Sequence, residues 1–301
     1  MKSNESNLAT LIGTDINGYI ITKYIASGSF GDCFEAKHSE TNKKFALKIP
    51  IINKHKDGER WLIEEANIYK KLYKKGTDDT FSHLPKTKII KNTQLNKKIL
   101  VMELLGDSLD KKLDNCKEGL SLKTIILLAI QMIESIRYIH KCGYIHRDIK
   151  PDNFVMSRSG KDLYCIDFGL AKKYLKNMNK GHKFCGTGRY ASIAAHKGYE
   201  QSRKDDLESV AYLLIYLFKS KLPWMGCKNK DKNERYKMMM KKKIETSEEE
   251  LCEGLPKEFK IFLILVKTMD FDEEPLYNSY IKMFKKLYKS LDYKDKSFDW
   301  N

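Results

Sequence analysis

Apolar positions follow two different rhythms along the chain. Over the first hundred residues they fall in short β-branched or aromatic runs, Tyr19 to Ile25, Asp32 to Lys37 and Lys44 to Ile49, separated by Gly-Ser and Ser-Glu-Thr-Asn turns. Runs of this kind between turn formers predict strands in an antiparallel meander. One helix, Glu59 to Lys75, interrupts them, and Thr87 to Lys91 with Lys98 to Leu104 form a further hairpin around a polar turn at Asn92 to Asn96. Past Gly106 the period changes. Ser121 is a candidate N-cap, and Ile125, Leu128, Ala129, Met132, Ile133, Ile136 and Ile139 recur at three- and four-residue steps, the stripe of a helix with a buried face. Further helices are predicted at Asp205 to Phe218, Glu258 to Met269 and Leu276 to Tyr288. The fold class expected is α+β, a small antiparallel-sheet lobe with one helix (about 17–103), a connection at about 103–106, and a larger, mainly helical lobe (about 107–301), within one domain spanning 1–301.

Several positions in this frame carry chemistry. Ala26-Ser27-Gly28-Ser29-Phe30-Gly31 joins the first two strands, and Gly28 and Gly31 would let backbone N–H groups approach a phosphate, although such turns commonly hold nothing. In Phe45-Ala46-Leu47-Lys48-Ile49 one lysine stands among apolar neighbours, where an ammonium needs an anion or must snorkel to water. On the following helix Leu62, Ala66, Tyr69 and Leu72 form an inward stripe bordered by Glu65, a better placed partner for Lys48 than Glu64. The strongest pattern is His146-Arg147-Asp148-Ile149-Lys150-Pro151-Asp152-Asn153, followed by the predicted strand Leu163 to Ile166 and then Asp167-Phe168-Gly169. Asp148 can accept a hydroxyl proton and Lys150 can neutralise charge on a transferring phosphoryl group. Asn153 and Asp167 supply the hard oxygen ligands that Mg²⁺ prefers.

Composition narrows the partners. Lys and Arg number 56 against 40 Asp and Glu, a formal +16 that favours nucleic acid, anionic membrane surfaces, acidic proteins or phosphate groups. The basic stretch Cys227 to Lys243 lacks regularly interleaved aromatics, so nucleic-acid binding is disfavoured, and the histidines show no metal-ligand spacing. Seven scattered cysteines without a CxxC pair point to reduced thiols and a cytoplasmic or nuclear location. The longest apolar run, Val210 to Phe218, is about half a membrane span.

Together the glycine turn, Lys48, the 146–153 motif and Asp167-Phe168-Gly169 resemble the eukaryotic protein kinases. Val101 to Gly106, Gly169 to Tyr174, Gly186 to Ile193, Glu200 to Ser209 and Leu222 to Gly226 resemble, more narrowly, the casein kinase I family of Ser/Thr kinases, a likeness running from about Tyr19 to Trp300. The resemblance implies a two-lobed kinase fold, ATP and Mg²⁺ in a cleft, and phosphorylation of Ser or Thr lying after acidic or phosphorylated residues. By the same resemblance Ala26, Gly28, Ser29, Gly31, Lys48, Glu65 and Asp167 would serve ATP. Met102 would be the gatekeeper, and the backbone of Glu103 and Leu105 would bond the adenine edge. Asp206 would brace the catalytic loop, and Lys172, Arg189 and Lys228 would form an anion pocket for the substrate.

Three features depart from the family. Ala26 replaces the first loop glycine, Ser192-Ile193-Ala194 replaces Ser-Ile-Asn, and the segment Leu170 to Cys185 is short, which suggests activity without a phosphorylation switch. With no regulatory tail in this sequence we expect a constitutively active monomer acting on protein substrates. The competing expectation is a pseudokinase scaffold, whose support is Ala26 and Ala194.

Overall fold

The computed structural model describes residues 11–28, 31–50, 58–75, 83–116, 118–176 and 180–300. The chain divides into two compact units, one comprising residues 1–105 with 167–169 and the other 106–166 with 170–301.

The first unit is built on one antiparallel sheet. Its strands are β1 (Asp15–Ile16), β2 (Tyr19–Ser27), β3 (Gly31–His38), β4 (Lys44–Pro50), β5 (Thr87–Asn92) and β6 (Lys97–Glu103), in the order β1-β2-β3-β4-β6-β5. β2, β3 and β4 form the expected antiparallel meander, and the last hairpin joins it by its second strand: Ala46 pairs with Met102 and Leu47 with Val101. β6 has the apolar core Ile99 to Met102, all buried, and so takes the interior place, whereas β5, with Lys88 and Lys91 exposed, is the edge strand. Ile16, Tyr19, Ile21, Phe34, Ala36, Leu47, Ile49, Ile99 and Val101 pack as one cluster. The helix α1 (Gly58–Lys75) buries Leu62, Glu65, Tyr69 and Leu72, spaced 3, 4 and 3 residues apart on one face. Glu65 thus lies within the buried stripe, while Ala66 is only half-buried.

The second unit is mainly helical. After the short α2 (Leu109–Asp114) comes α3 (Leu122–Lys141), capped by Ser121, whose hydroxyl accepts the Thr124 amide at 3.3 Å. α3 is apolar on almost every side and packs against two later helices, α5 (Arg203–Lys219) and α9 (Tyr277–Ser290). Between α3 and α5 lie the two-stranded ladders of β7 (Tyr144–Ile145) with β10 (Lys172–Lys173) and β8 (Phe154–Met156) with β9 (Leu163–Cys165), then α4 (Ile193–His196). The helices α6 (Lys232–Glu245), α7 (Glu248–Leu251) and α8 (Lys257–Thr268) complete the unit. Among the described residues no helix is long and apolar enough to cross a membrane, and all seven cysteines are free.

Candidate active site

In the first unit β4 turns Lys48 inward, where it is 8% exposed. Its Nζ meets Glu65 Oε2 at 2.8 Å and Asp167 Oδ1 at 2.9 Å. Burial alone would strip the ammonium of its proton, but Asp167 and Glu65 outweigh it and hold the lysine above its ordinary range. Burial also pushes Glu65 upward against the pull of Lys48, so the triad depends on the lysine for its charge balance. Asp167 adopts a left-handed backbone, φ 64°, fixed by its amide bonding the Tyr69 hydroxyl at 3.2 Å, with the Phe168 ring edge-on to Tyr69 at 4.9 Å. Non-glycine residues in that region are strained, and such strain concentrates at functional sites.

The turn between β2 and β3 is closed by the Gly28 amide on the Gly31 carbonyl at 2.9 Å. A Cβ on Gly31 would meet the Ile49 carbonyl oxygen at 2.8 Å, so only glycine lets β3 run this close to β4. Ala26 has no left-handed φ, so a methyl group at this position brings no backbone strain. Ser29 lies outside the described residues. Met102 is buried on β6, and the Glu103 amide is bonded to the Lys86 carbonyl at 2.9 Å. Leu105, next along, is half-buried.

In the second unit the loop after β7 is organised from α5. Buried Asp206 accepts the amides of His146 at 2.7 Å and Arg147 at 2.8 Å, and contacts His140 Nε2 at 2.8 Å. Burial opposes its charge, but the bonds from His140 and the His146 amide hold the carboxyl below the usual carboxylate range. Asp206 thus stands where the kinase resemblance requires a brace. His146 Nδ1 accepts the Asp148 amide at 3.3 Å and Nε2 donates to the Ile166 carbonyl at 3.1 Å, so the ring is tied into the loop at both nitrogens. Arg147 takes φ 66° and donates Nε to the Leu170 carbonyl at 2.7 Å.

The result is a fixed carboxylate. Asp148 is 7% exposed; its Oδ1 accepts the Thr187 hydroxyl at 2.7 Å, and its Oδ2 meets Lys150 Nζ at 2.8 Å and Asn153 Nδ2 at 3.3 Å. Asn153 Nδ2 also donates to the Asp148 carbonyl at 2.9 Å. Asp152 is exposed on the same turn. Thr187 as a contact of Asp148 was missed by the sequence reading. The two are 39 residues apart, and no local pattern links them.

The three anion-pocket candidates are in unequal states. Lys172 spends its charge on buried Glu200, meeting both oxygens at 3.0 and 2.9 Å, and His182 Nε2 reaches the same carboxylate at 3.0 Å. Arg189 is half-buried, donates to the hydroxyls of Tyr190 at 3.3 Å and Tyr216 at 3.4 Å, and lies over the Tyr216 ring at 5.2 Å. Lys228 is exposed. An incoming phosphate would compete with Glu200 for Lys172. The altered turn is held without an asparagine: the Ser192 hydroxyl accepts the Ala195 amide at 3.0 Å and donates to Asp205, and the Ile193 amide bonds Glu208 Oε1 at 2.9 Å.

A buried lysine bound to a helix carboxylate and an aspartate, and a caged aspartate on a separate loop, are the parts of a phosphotransferase. The family model described as protein kinase domain matches residues 19–281, and the chain is accordingly a protein kinase. A probable casein kinase I homolog of Encephalitozoon cuniculi is 40% identical over 272 residues, covering 88% of this chain and 86% of that protein. The chain belongs to the casein kinase I family of Ser/Thr protein kinases.

Proposed function

We propose that this kinase transfers the γ-phosphoryl group of ATP to Ser or Thr hydroxyls of proteins, with Asp148 accepting the hydroxyl proton, and prefers sites preceded by acidic or phosphorylated residues. The observation that carries the catalytic part is the immobilised Asp148 carboxylate, gripped at both oxygens by Thr187, Lys150 and Asn153. A base held in this way orients the attacking oxygen and needs no reorganisation as charge develops. Lys150 would balance the charge that gathers on the transferring group. Gly28, Gly31, Lys48 and Asp167 are the nucleotide-binding set of this reading.

The donor chemistry fits Mg²⁺. Asn153 offers an amide oxygen and Asp167 a carboxylate, hard oxygen donors of the kind this ion takes, its shell otherwise being filled by phosphate oxygens and water. When bound, it would neutralise charge on the phosphates.

Substrate preference rests on Arg189, whose guanidinium can take a phosphate with two parallel bonds. Lys172 is already engaged, so Arg189 carries most of the selectivity in this reading. The test is a peptide array with acidic or phosphorylated residues at varied positions before the acceptor, assayed with radiolabelled ATP. The preference should weaken sharply in Arg189→Ala. An unchanged profile would remove the pocket, and no phosphotransfer by the native chain would leave a pseudokinase.

A further inference from the structure

α6 carries a basic face on which Lys237, Lys241 and Lys242 are exposed, but the next residue, Lys243, is 1% exposed. Among the described residues no carboxylate lies within ion-pairing distance of its ammonium. An unpaired buried cation is costly, so its surroundings must compensate. They do so with dipoles and ring faces: Nζ donates to the carbonyls of Gly188, at 3.0 Å, and Ala191, and lies 5.0 Å from the ring centroids of both Tyr212 and Trp224.

The two carbonyls belong to one short segment, and they are not its only anchors. Trp224 Nε1 donates to the Arg189 carbonyl at 2.7 Å, and His196 Nε2 bonds the Gly188 carbonyl at 3.1 Å. Three of the four carbonyls from Gly188 to Ala191 are therefore gripped from behind. Within the segment or next to it stand Arg189, whose guanidinium bonds the Tyr190 hydroxyl, and Thr187, bonded to Asp148.

We propose that Lys243 is a positioning residue for protein-substrate binding: its buried ammonium clamps the Gly188–Ala191 backbone so that Arg189 and Thr187 are held in register with Asp148. The inference rests on the roles given above to Arg189 and Asp148. It also makes the clamp dependent on a proton. Burial lowers the Lys243 pKa to about 7, opposed by Glu208. Two titratable neighbours stay neutral there: burial drives the Tyr212 hydroxyl well above its ordinary value, and burial with the Lys243 charge brings His196 down to about 4. The clamp is charged and strongest below neutrality and weakens as pH rises through about 7, because a neutral amine is a poorer donor to carbonyls.

The experiment is steady-state kinetics between about pH 6 and 8.5 with an acidic acceptor peptide and ATP, on the native chain, Lys243→Met and Glu208→Gln. KM for the peptide in the native chain should rise severalfold across a step near pH 7 that KM for ATP lacks. Lys243→Met should show a high, flat peptide KM, with kcat/KM for the peptide down about tenfold, the scale of one charge-assisted hydrogen bond. Glu208→Gln keeps an Oε1 for the Ile193 amide and the Tyr212 hydroxyl and removes the charge that supports the ammonium, so its step should move to lower pH. That variant decides the matter if Lys243→Met does not fold. Absence of the step in the native chain, the step unmoved in Glu208→Gln, or normal peptide KM in a merely less stable Lys243→Met would overturn the proposal. An active Asp148→Asn would instead refute the catalytic reading and leave the clamp measurement standing.

Discussion

Thr187→Val is the sharpest probe of how the Asp148 carboxylate is held. The substitution keeps the branched shape and removes one hydroxyl, which donates to Asp148 Oδ1 at 2.7 Å. The donors from Lys150 at 2.8 Å and Asn153 at 3.3 Å both lie on Oδ2, so the variant frees one oxygen and leaves the other anchored. A hydrogen bond to a charged acceptor is worth about 1.5–3 kcal/mol. Felt wholly in the transition state, that is about a 10- to 150-fold fall in kcat. Because the Oδ2 anchors remain, we expect the lower half of this range, about 10- to 30-fold. The assay is kcat at saturating ATP and acidic peptide, with melting temperature measured in parallel and Thr187→Ser as the control that restores the hydroxyl. Thr187→Ser should stay within about threefold of the native chain. A Val variant within twofold of native, or a Ser variant as impaired as Val, would refute the reasoning.

Other outcomes follow from the same geometry. Lys48→Met leaves Glu65 and Asp167 without their shared cation; Glu65 can take up a proton, so kcat/KM for ATP should fall at least about 100-fold while a folded, less stable protein is still seen by thermal melting. Gly31→Ala forces a Cβ to within 2.8 Å of the Ile49 carbonyl oxygen and should lower the melting temperature and raise KM for ATP together; an unchanged melting temperature would show that β3 and β4 can part at no cost. Burial raises the Asp205 carboxyl to about 7, so the folded state keeps a proton that the unfolded chain releases between about pH 4 and 7. Its contribution to stability therefore declines as pH rises across that window. Denaturant titrations should show Asp205→Asn gaining on the native chain from pH 4.5 to 7.5; a constant difference would contradict this.

What could be read from the sequence was what lies close along it or repeats with an element's period. The choice of Glu65 over Glu64 is such a case: helical spacing puts Glu65 among Leu62, Tyr69 and Leu72, and the structure pairs Glu64 with Arg60 on the outer face at 3.1 Å. The cap at Ser121 and the long apolar helix after it were legible for the same reason. The order β4-β6-β5 was not, because two strands of one hairpin compete for the interior position and only their burial in the finished sheet decides. Thr187 on Asp148 and Glu200 on Lys172 join residues 39 and 28 positions apart, beyond any local pattern. Lys243 was hidden by composition: inside a run of three lysines, nothing in the letters distinguishes the one that is buried.

The proposed phosphotransfer depends above all on Asp148 as the proton acceptor. The most direct measurement is single-turnover transfer of radiolabelled γ-phosphoryl from ATP to an acidic peptide by Asp148→Asn, with nucleotide binding measured on the same preparation. Binding should be retained and the transfer rate should drop by at least about 100-fold. Transfer at close to the native rate would contradict it.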